Sequence, residues 1–116
     1  MLKYFYYFVI ITFTLEGNRM PNKKVDSNTD FLFDLLMCAE TKEEMANLLK
    51  SLCTPNELAS LSQRAVVAKM LAQKQVYRDI VNETGASTAT ISRVNRSLIF
   101  DENGYDVLFK RLDSKE

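Results

Sequence analysis

Residues 76–98 have the sequence VYRDIVNETGASTATISRVNRSL, which predicts two short helices joined by a tight turn. Gly85 can adopt the left-handed backbone conformation that ends a helix, and Ser87 can cap the next helix at once. Helices joined by a turn of about three or four residues with glycine cross steeply. The residues spaced to fill the angle are Ile80, Val81, Ile91 and Val94. We therefore predict a helix-turn-helix.

The second of these helices is suited to the major groove of DNA. Small side chains in its first turn let a helix approach the bases, where hydroxyls meet base edges and methyls meet thymine. Arg93 and Arg96 lie further along and can reach phosphates, while Arg78 in the first helix can hold the opposite backbone. The predicted DNA-binding residues are Arg78, Ser87, Thr88, Ala89, Thr90, Ser92, Arg93 and Arg96.

Basic residues are concentrated in the same part of the chain. The 116 residues carry no net charge overall, with 15 basic and 15 acidic side chains. Residues 28–59 hold six acidic and two basic residues, a balance of −4, whereas residues 64–97 hold six basic and two acidic residues, a balance of +4. A polarised molecule can dock on phosphates through its basic end. Double-stranded DNA is therefore the predicted partner.

Two more helices are predicted upstream, each from a capping box in which a threonine and a glutamate three residues later satisfy each other's backbone N–H. The boxes are Thr41-Lys42-Glu43-Glu44 and Thr54-Pro55-Asn56-Glu57. The first helix extends to about Cys53 and the second to about Gln73. The second helix has an apolar face made of Leu58, Leu61, Ala65, Ala68 and Leu71.

The stretch from Phe31 to Cys38 is too apolar to leave a solvent face on a helix. A helix that is apolar nearly all round is buried on most sides. Since so short a chain has little other protein to cover it, a second copy of the chain is the predicted cover. We therefore predict a homodimer.

The composition narrows the function classes. A chain of 116 residues suits one compact domain, and its three glycines and two prolines leave few turns, which favours an all-α fold. With no histidine and no glycine-rich phosphate loop, we predict neither an enzyme, a metal site nor a cofactor. Cys38 and Cys53 lie in apolar stretches and are interpreted as free thiols in a reducing cytoplasm.

Residues 1–19 look unlike the rest of the chain. Tyr4 to Leu15 is almost uninterrupted apolar sequence, shorter than the roughly 20 residues that span a bilayer, so no membrane partner is predicted. Three interpretations of residues 1–19 are open. The favoured one is a mis-assigned start, with Met20 as the true start. The others are an apolar leader and an extra ordered element. Residues 20–28 are predicted to be a flexible arm, and residues 29–116 to be the domain.

The C-terminal residues after the helix-turn-helix predict one more short helix. Its predicted apolar face, which would pack back on the core, is made of Tyr105, Val107, Leu108 and Leu112.

The chain from Phe31 to Leu112 resembles the YerC/YecD branch of the Trp repressor family. The segments that carry the resemblance are TPNELASLSQRAVVAKMLAQ at 54–73 and YRDIVNETGASTATISRVNRSL at 77–98. The resemblance implies an all-helical, intertwined dimer whose two recognition helices face successive major grooves of a palindromic operator. It also implies that the protein is a transcriptional repressor.

The resemblance also implies a corepressor pocket, with Thr54, Arg64, Arg93 and Ser97 at positions that hold an amino acid in the family's best-known member. Val94 stands where that pocket has a glycine, and a β-branched side chain fills the space left for the ligand. Ser51 replaces an aliphatic residue of the wall. We therefore expect no tryptophan binding, and a different corepressor or none. Alternatives to a role in this pocket remain for two residues: Thr54 acts only as a helix cap, and Arg64 is an ion-pair partner.

The alternative function is a protein-interaction module, in which the helical hairpin contacts another protein of a transcription complex without reading bases. Binding through several phosphates weakens steeply as salt is added, whereas this alternative predicts no such dependence.

Overall fold

All of the regular secondary structure in the part that the structure describes is helical. The computed structural model describes residues 26–99 and 103–115. The six helices within these ranges are α1 (Ser27–Met37), α2 (Lys42–Leu52), α3 (Pro55–Ala72), α4 (Tyr77–Thr84), α5 (Thr88–Ile99) and α6 (Asp106–Asp113). The predicted all-α fold is confirmed. The extension 1–19 and residues 20–25 of the predicted arm lie outside the described residues.

The described residues divide into two compact units, with the boundary between Leu52 and Cys53. The first unit contains α1 and α2, and the second contains α3 to α6 and all of the residues found buried. The boundary falls inside residues 29–116, which we predicted to be a single domain. Both helices of the predicted helix-turn-helix belong to the second unit.

Helix α1 begins earlier than predicted. The Asp26 carboxylate caps it by accepting the Thr29 backbone N–H at 2.8 Å. That hydrogen bond holds the pKa of Asp26 below its ordinary value of 3.8. Ser27 and Asn28 are therefore helical, which corrects the end of the arm predicted at 20–28. Polar residues next to a capping aspartate suit a first helical turn as well as a loop.

Both predicted capping boxes lie at helix starts, and one of them is complete. At α3, Thr54 Oγ1 accepts the Glu57 N–H at 3.2 Å while the Thr54 N–H donates to Glu57 Oε1 at 2.9 Å. At α2, Thr41 Oγ1 accepts the Glu44 N–H at 3.1 Å, but the Glu44 carboxylate accepts the Glu40 N–H at 2.9 Å instead of the threonine's. The helices begin where these caps predicted.

The core of the second unit lies between the C-terminal half of α3 and the α4–α5 pair. Its buried residues are Val67, Ala68, Met70, Ile80, Ala86, Ile91 and Val94. Val81 packs against them, so all four residues predicted to fill the helix-turn-helix angle do so. The N-terminal half of α3 differs from prediction, since Leu61 is 43 % exposed and Ala65 is also exposed. Helix α3 has 18 residues, whereas α4 and α5, which pack on it, have only 8 and 12. The two shorter helices therefore cover the C-terminal half of α3 and leave its first half exposed.

Helix α6 packs through a different face from the predicted one. Tyr105 and Phe109 lie against the core, with their ring centroids 5.5 Å apart. Val107, Leu108 and Leu112 are 58 %, 58 % and 54 % exposed, so the predicted face is wrong for these three residues. Tyr105 and Phe109 are four residues apart and form a second apolar stripe, which the sequence pattern allowed equally well.

Candidate nucleic-acid interface

Helix α4 ends at a turn whose backbone conformation favours glycine. Gly85 has a φ of 70°, in the left-handed region, and its N–H donates to the Val81 carbonyl at 2.9 Å. Thr84 Oγ1 donates to the Ile80 carbonyl at 2.7 Å and accepts the Ala86 N–H at 3.1 Å. Ala86 is only 2 % exposed, so the turn is anchored in the core. Only residues 85–87 separate α4 from α5.

Helix α5 begins with the predicted cap. Ser87 Oγ accepts the Thr90 N–H at 3.1 Å and so satisfies one of the amides that lack a partner at a helix start. The same hydroxyl donates to Thr90 Oγ1 at 3.0 Å. Two of the hydroxyls predicted to read bases are therefore bonded to each other, and Thr90 is half-buried.

Four other predicted DNA-binding residues share the face of α5 that is turned away from the core: Ala89, Ser92, Arg93 and Arg96, all of them exposed. Their spacing of three and four residues aligns them on one side of a helix. Ile91 and Val94 on the opposite side are 0 % and 3 % exposed, which fixes the orientation of the helix. Thr88 is exposed at the start of α5, and α5 contains no acidic residue. The result is a solvated surface of small residues and two guanidinium groups.

Arg78 lies on α4, with a side chain that is 86 % exposed. Its Nε is 4.0 Å from Asp79 Oδ1, a long contact between exposed neighbours that contributes little. The guanidinium therefore stays largely solvated. Asp79 brings an acidic group, 54 % exposed, beside it in the first turn of α4.

The residues of the predicted corepressor pocket have separate local roles. Thr54 caps α3, and Arg93 lies on the exposed face of α5. Val94 is 3 % exposed within the apolar core. The Ser97 hydroxyl donates to the Val94 carbonyl at 2.7 Å. Arg64 lines a groove of the second unit.

That groove is a wide depression along the start of α3, about 430 Å³ in volume. Its lining residues are Cys53, Asn56, Glu57, Ser60, Leu61 and Arg64. Ser51, which was predicted to lie in the wall of the corepressor pocket, belongs to α2 in the first unit. Its hydroxyl donates to the Asn47 carbonyl at 2.9 Å.

Over residues 26–99 and 103–115, no group of three or more His, Cys, Asp or Glu residues is placed to hold a metal ion. In the same ranges, no helix has the length and apolar character needed to cross a membrane. Cys38 and Cys53 are free thiols, each half-buried.

One residue at the helix-turn-helix was missed in the sequence. Gln63 of α3 donates from Nε2 to the Thr84 carbonyl at 3.1 Å, across 21 residues of chain. A glutamine between Ser62 and Arg64 has the character of a solvated helix residue, and no local pattern identifies a distant carbonyl as its partner.

The sequence matches the family model described as Trp repressor protein over residues 27–113. The match covers all six described helices. A curated relative, the uncharacterized protein YerC of Bacillus subtilis (strain 168), is 42 % identical over 102 residues, which are 88 % of this chain and 94 % of that protein.

Two solved structures share the fold. A TrpR like protein from Eubacterium eligens ATCC 27750 superposes with a TM-score of 0.74 at 47 % identity, over 79 % of this chain and 95 % of that one. A protein from Staphylococcus aureus, described as a candidate Trp repressor, superposes with a TM-score of 0.73 at 44 % identity, over 82 % of this chain and 96 % of that one.

Proposed function

Because this chain belongs to the Trp repressor family, we propose that it is a transcriptional repressor that binds a palindromic operator as a homodimer. Membership confirms the resemblance and the Trp repressor-like fold predicted from the sequence. It indicates a DNA-binding regulator rather than an enzyme. The observation that carries the proposal is the exposed face of α5, where small residues at the helix start are followed by two arginines.

This face matches the chemistry of a DNA groove in two ways. Thr88 and Ala89 are short enough to let the start of α5 approach the base edges, where Ser92 supplies a further hydroxyl. Arg93 and Arg96, with Arg78 on α4, supply cations for phosphates on either side of the groove. Helix α5 is therefore proposed as the recognition helix and α4 as the helix that crosses the backbone.

Exposed apolar residues support the homodimer. In α1, Phe31, Phe33 and Met37 are 54 %, 46 % and 63 % exposed, and no described residue of this helix is buried. Helix α6 separately exposes Val107, Leu108 and Leu112. Monomeric proteins rarely leave such groups in water, and two copies of one chain can cover them symmetrically. Light scattering after size exclusion should give twice the mass of one chain, and a monomer at micromolar concentration would contradict the dimer.

Burial of Val94 supports a repressor that does not respond to tryptophan. Its β-branched side chain is packed with Ile80 and Ile91 in the core, at the position where the family pocket needs space. L-tryptophan titrated into the protein should give no binding heat and leave DNA affinity unchanged. A clear increase in DNA affinity with tryptophan would contradict this part of the proposal.

DNA binding is tested on the full chain with fragments selected from a random pool. Fluorescence anisotropy measured between about 50 and 200 mM salt should show affinity falling steeply, because several phosphate contacts release counterions. Absence of binding at low salt, or binding that does not change with salt, would refute the repressor and favour the protein-interaction module. Repeating the selection with a small-molecule extract tests for a corepressor of another kind.

A further inference from the structure

The Thr84 carbonyl needs a hydrogen-bond donor from outside α4. The last carbonyls of a helix have no partner within it, and Thr84 is the last residue of this one. The part-buried amide of Gln63 supplies the donor, with Nε2 3.1 Å from the Thr84 oxygen. Among residues 26–99 and 103–115, it is the one side-chain hydrogen bond that joins α3 to the α4–α5 pair.

The other hydrogen bonds of this turn act within the turn. The Gly85 N–H donates to the Val81 carbonyl, and the Thr84 hydroxyl links the Ile80 carbonyl to the Ala86 N–H. These bonds hold α5 relative to α4. None of them reaches α3, so they do not determine how the pair sits on that helix.

The remaining contact between α3 and the pair is apolar. Val67 and Met70 of α3 belong to the same buried cluster as Ile80, Ile91 and Val94. Apolar burial is favourable but non-directional, so it opposes separation more strongly than a small slide or rotation. A hydrogen bond weakens steeply when its angle departs from linearity. The hydrogen bond of Gln63 is directional, so it resists a slide or rotation of the pair that the apolar contact alone would resist less.

We propose that Gln63 is a positioning residue that sets the placement of α5 for base recognition. The three-residue turn after Thr84 leads directly to Thr88 and Ala89 at the start of α5. Base contacts depend on exact distances, whereas attraction to phosphates tolerates displacement. Loss of the amide therefore reduces specific DNA binding more than non-specific binding. This role rests on the proposed DNA-binding function.

The test compares three variants of the full chain. Gln63→Met keeps the length and flexibility of the side chain without the amide. Gln63→Asn keeps the amide on a chain one methylene shorter, too short to make the bond. Gln73→Met is the matched control, since the amide of Gln73, within the part of the chain that the structure describes, accepts a bond only from Gln75, at 3.2 Å. Affinity is measured for a selected fragment and for random-sequence DNA.

Both Gln63 variants should bind the selected fragment about 5- to 10-fold more weakly, the loss expected of one hydrogen bond. Their affinity for random DNA, and both affinities of Gln73→Met, should stay within about twofold of wild type. Unchanged affinity of Gln63→Met for the selected fragment would overturn the role. Equal losses on both DNAs with a lower Tm would also overturn it, since they indicate only a structural contribution.

Amide hydrogen exchange on the free protein separates this inference from the proposed function. Gln63→Met should accelerate exchange at Gly85 and Ala86 while the α3 core amides, such as that of Val67, keep their protection. Unchanged exchange at the turn would refute the positioning role even if wild type bound DNA. If wild type bound no DNA, the repressor function would fail, and the exchange result would still decide whether Gln63 places the turn.

Discussion

The hydroxyl of Ser87 donates to the hydroxyl of Thr90 at 3.0 Å and accepts the Thr90 backbone N–H at 3.1 Å. The Ser87 hydroxyl is therefore already used to cap the start of α5, and Thr90 Oγ1 already accepts a hydrogen bond from it. Thr88 lies between them, exposed, and neither it nor Ser92 forms a hydrogen bond through its side chain among the described residues. Thr88 and Ser92 are therefore the hydroxyls of α5 that we propose to meet bases.

Ser87→Ala should lower the free energy of unfolding by about 1 kcal/mol, because it removes the cap from α5. Urea denaturation measures the change. Ser92→Ala is the matched control, since it removes an exposed hydroxyl of the same helix, and it should alter stability by less than about 0.5 kcal/mol. Equal stability of the two variants would contradict the assignment of Ser87 as the cap.

Thr88→Val should change which DNA sequences are preferred, because it replaces a hydroxyl with a methyl and keeps the shape. Arg93→Ala should instead weaken binding to all sequences and reduce the slope of log affinity against log salt by about 1, as expected for a lost phosphate contact. Selection from a random pool and salt titrations measure the two effects. Lys50→Ala, which removes a cation from α2, is the charge control. A uniform loss from Thr88→Val would argue against base reading there.

Gly85 and Lys74 both take the left-handed conformation after a helix, with φ of 70° and 63°. After α3, the Lys74 N–H donates to the Leu71 carbonyl at 2.9 Å and the Gln75 N–H to the Met70 carbonyl at 3.1 Å, which is the Schellman arrangement that favours glycine. Lysine at that position is strained, and glycine would relieve the strain.

Gly85→Ala should therefore destabilise the protein by about 1 kcal/mol, and Lys74→Gly should stabilise it by about 0.5–1 kcal/mol. Nothing lies within 4 Å of a Cβ added at Gly85, so the loss comes from the backbone conformation rather than a clash. Thermal unfolding measures both changes. Gly104→Ala, which also meets nothing within 4 Å and has no positive φ, should not lower stability. Destabilisation by Lys74→Gly would contradict the strain.

The Thr54–Glu57 capping box should make stability depend on pH. The backbone N–H of Thr54, and then its hydroxyl, hold the pKa of Glu57 below its ordinary value of 4.5. A lowered pKa in the folded protein adds stability that is complete above the ordinary pKa and is lost as the pH falls through the lower one.

Glu57→Gln tests this dependence, because glutamine can still accept the Thr54 N–H but does not titrate. The difference in unfolding free energy between wild type and Glu57→Gln should be constant near neutral pH and shrink as the pH falls below about 4.5. Glu83→Gln on α4, a residue outside any cap, is the control. A wild-type advantage that did not change between about pH 7 and pH 3 would refute the linkage.

Some corrections to the prediction have one physical origin. The wrong face of α6 and the exposed first half of α3 both concern which of several apolar stripes meets the core. The spacing of apolar residues along a helix is visible in the sequence. The residues against which that apolar stripe packs lie elsewhere in the chain, and the local pattern does not identify them. Phe109 packs on the core while Leu108 is 58 % exposed, although both lie on apolar stripes of the same short helix.

The sequence by itself determined the helices, the starts of α2, α3 and α5, the end of α4 and the outward face of α5. Caps such as Thr54, Ser87 and Gly85 act over three or four residues, and apolar spacing identifies the buried side of a short helix. The sequence did not show that the Ser87 and Thr90 hydroxyls share a hydrogen bond, and the tertiary structure alone decided that Gln63 reaches Thr84. The first depends on side-chain rotamers, and the second joins groups 21 residues apart, which only the packing of α4 on α3 brings within hydrogen-bond distance.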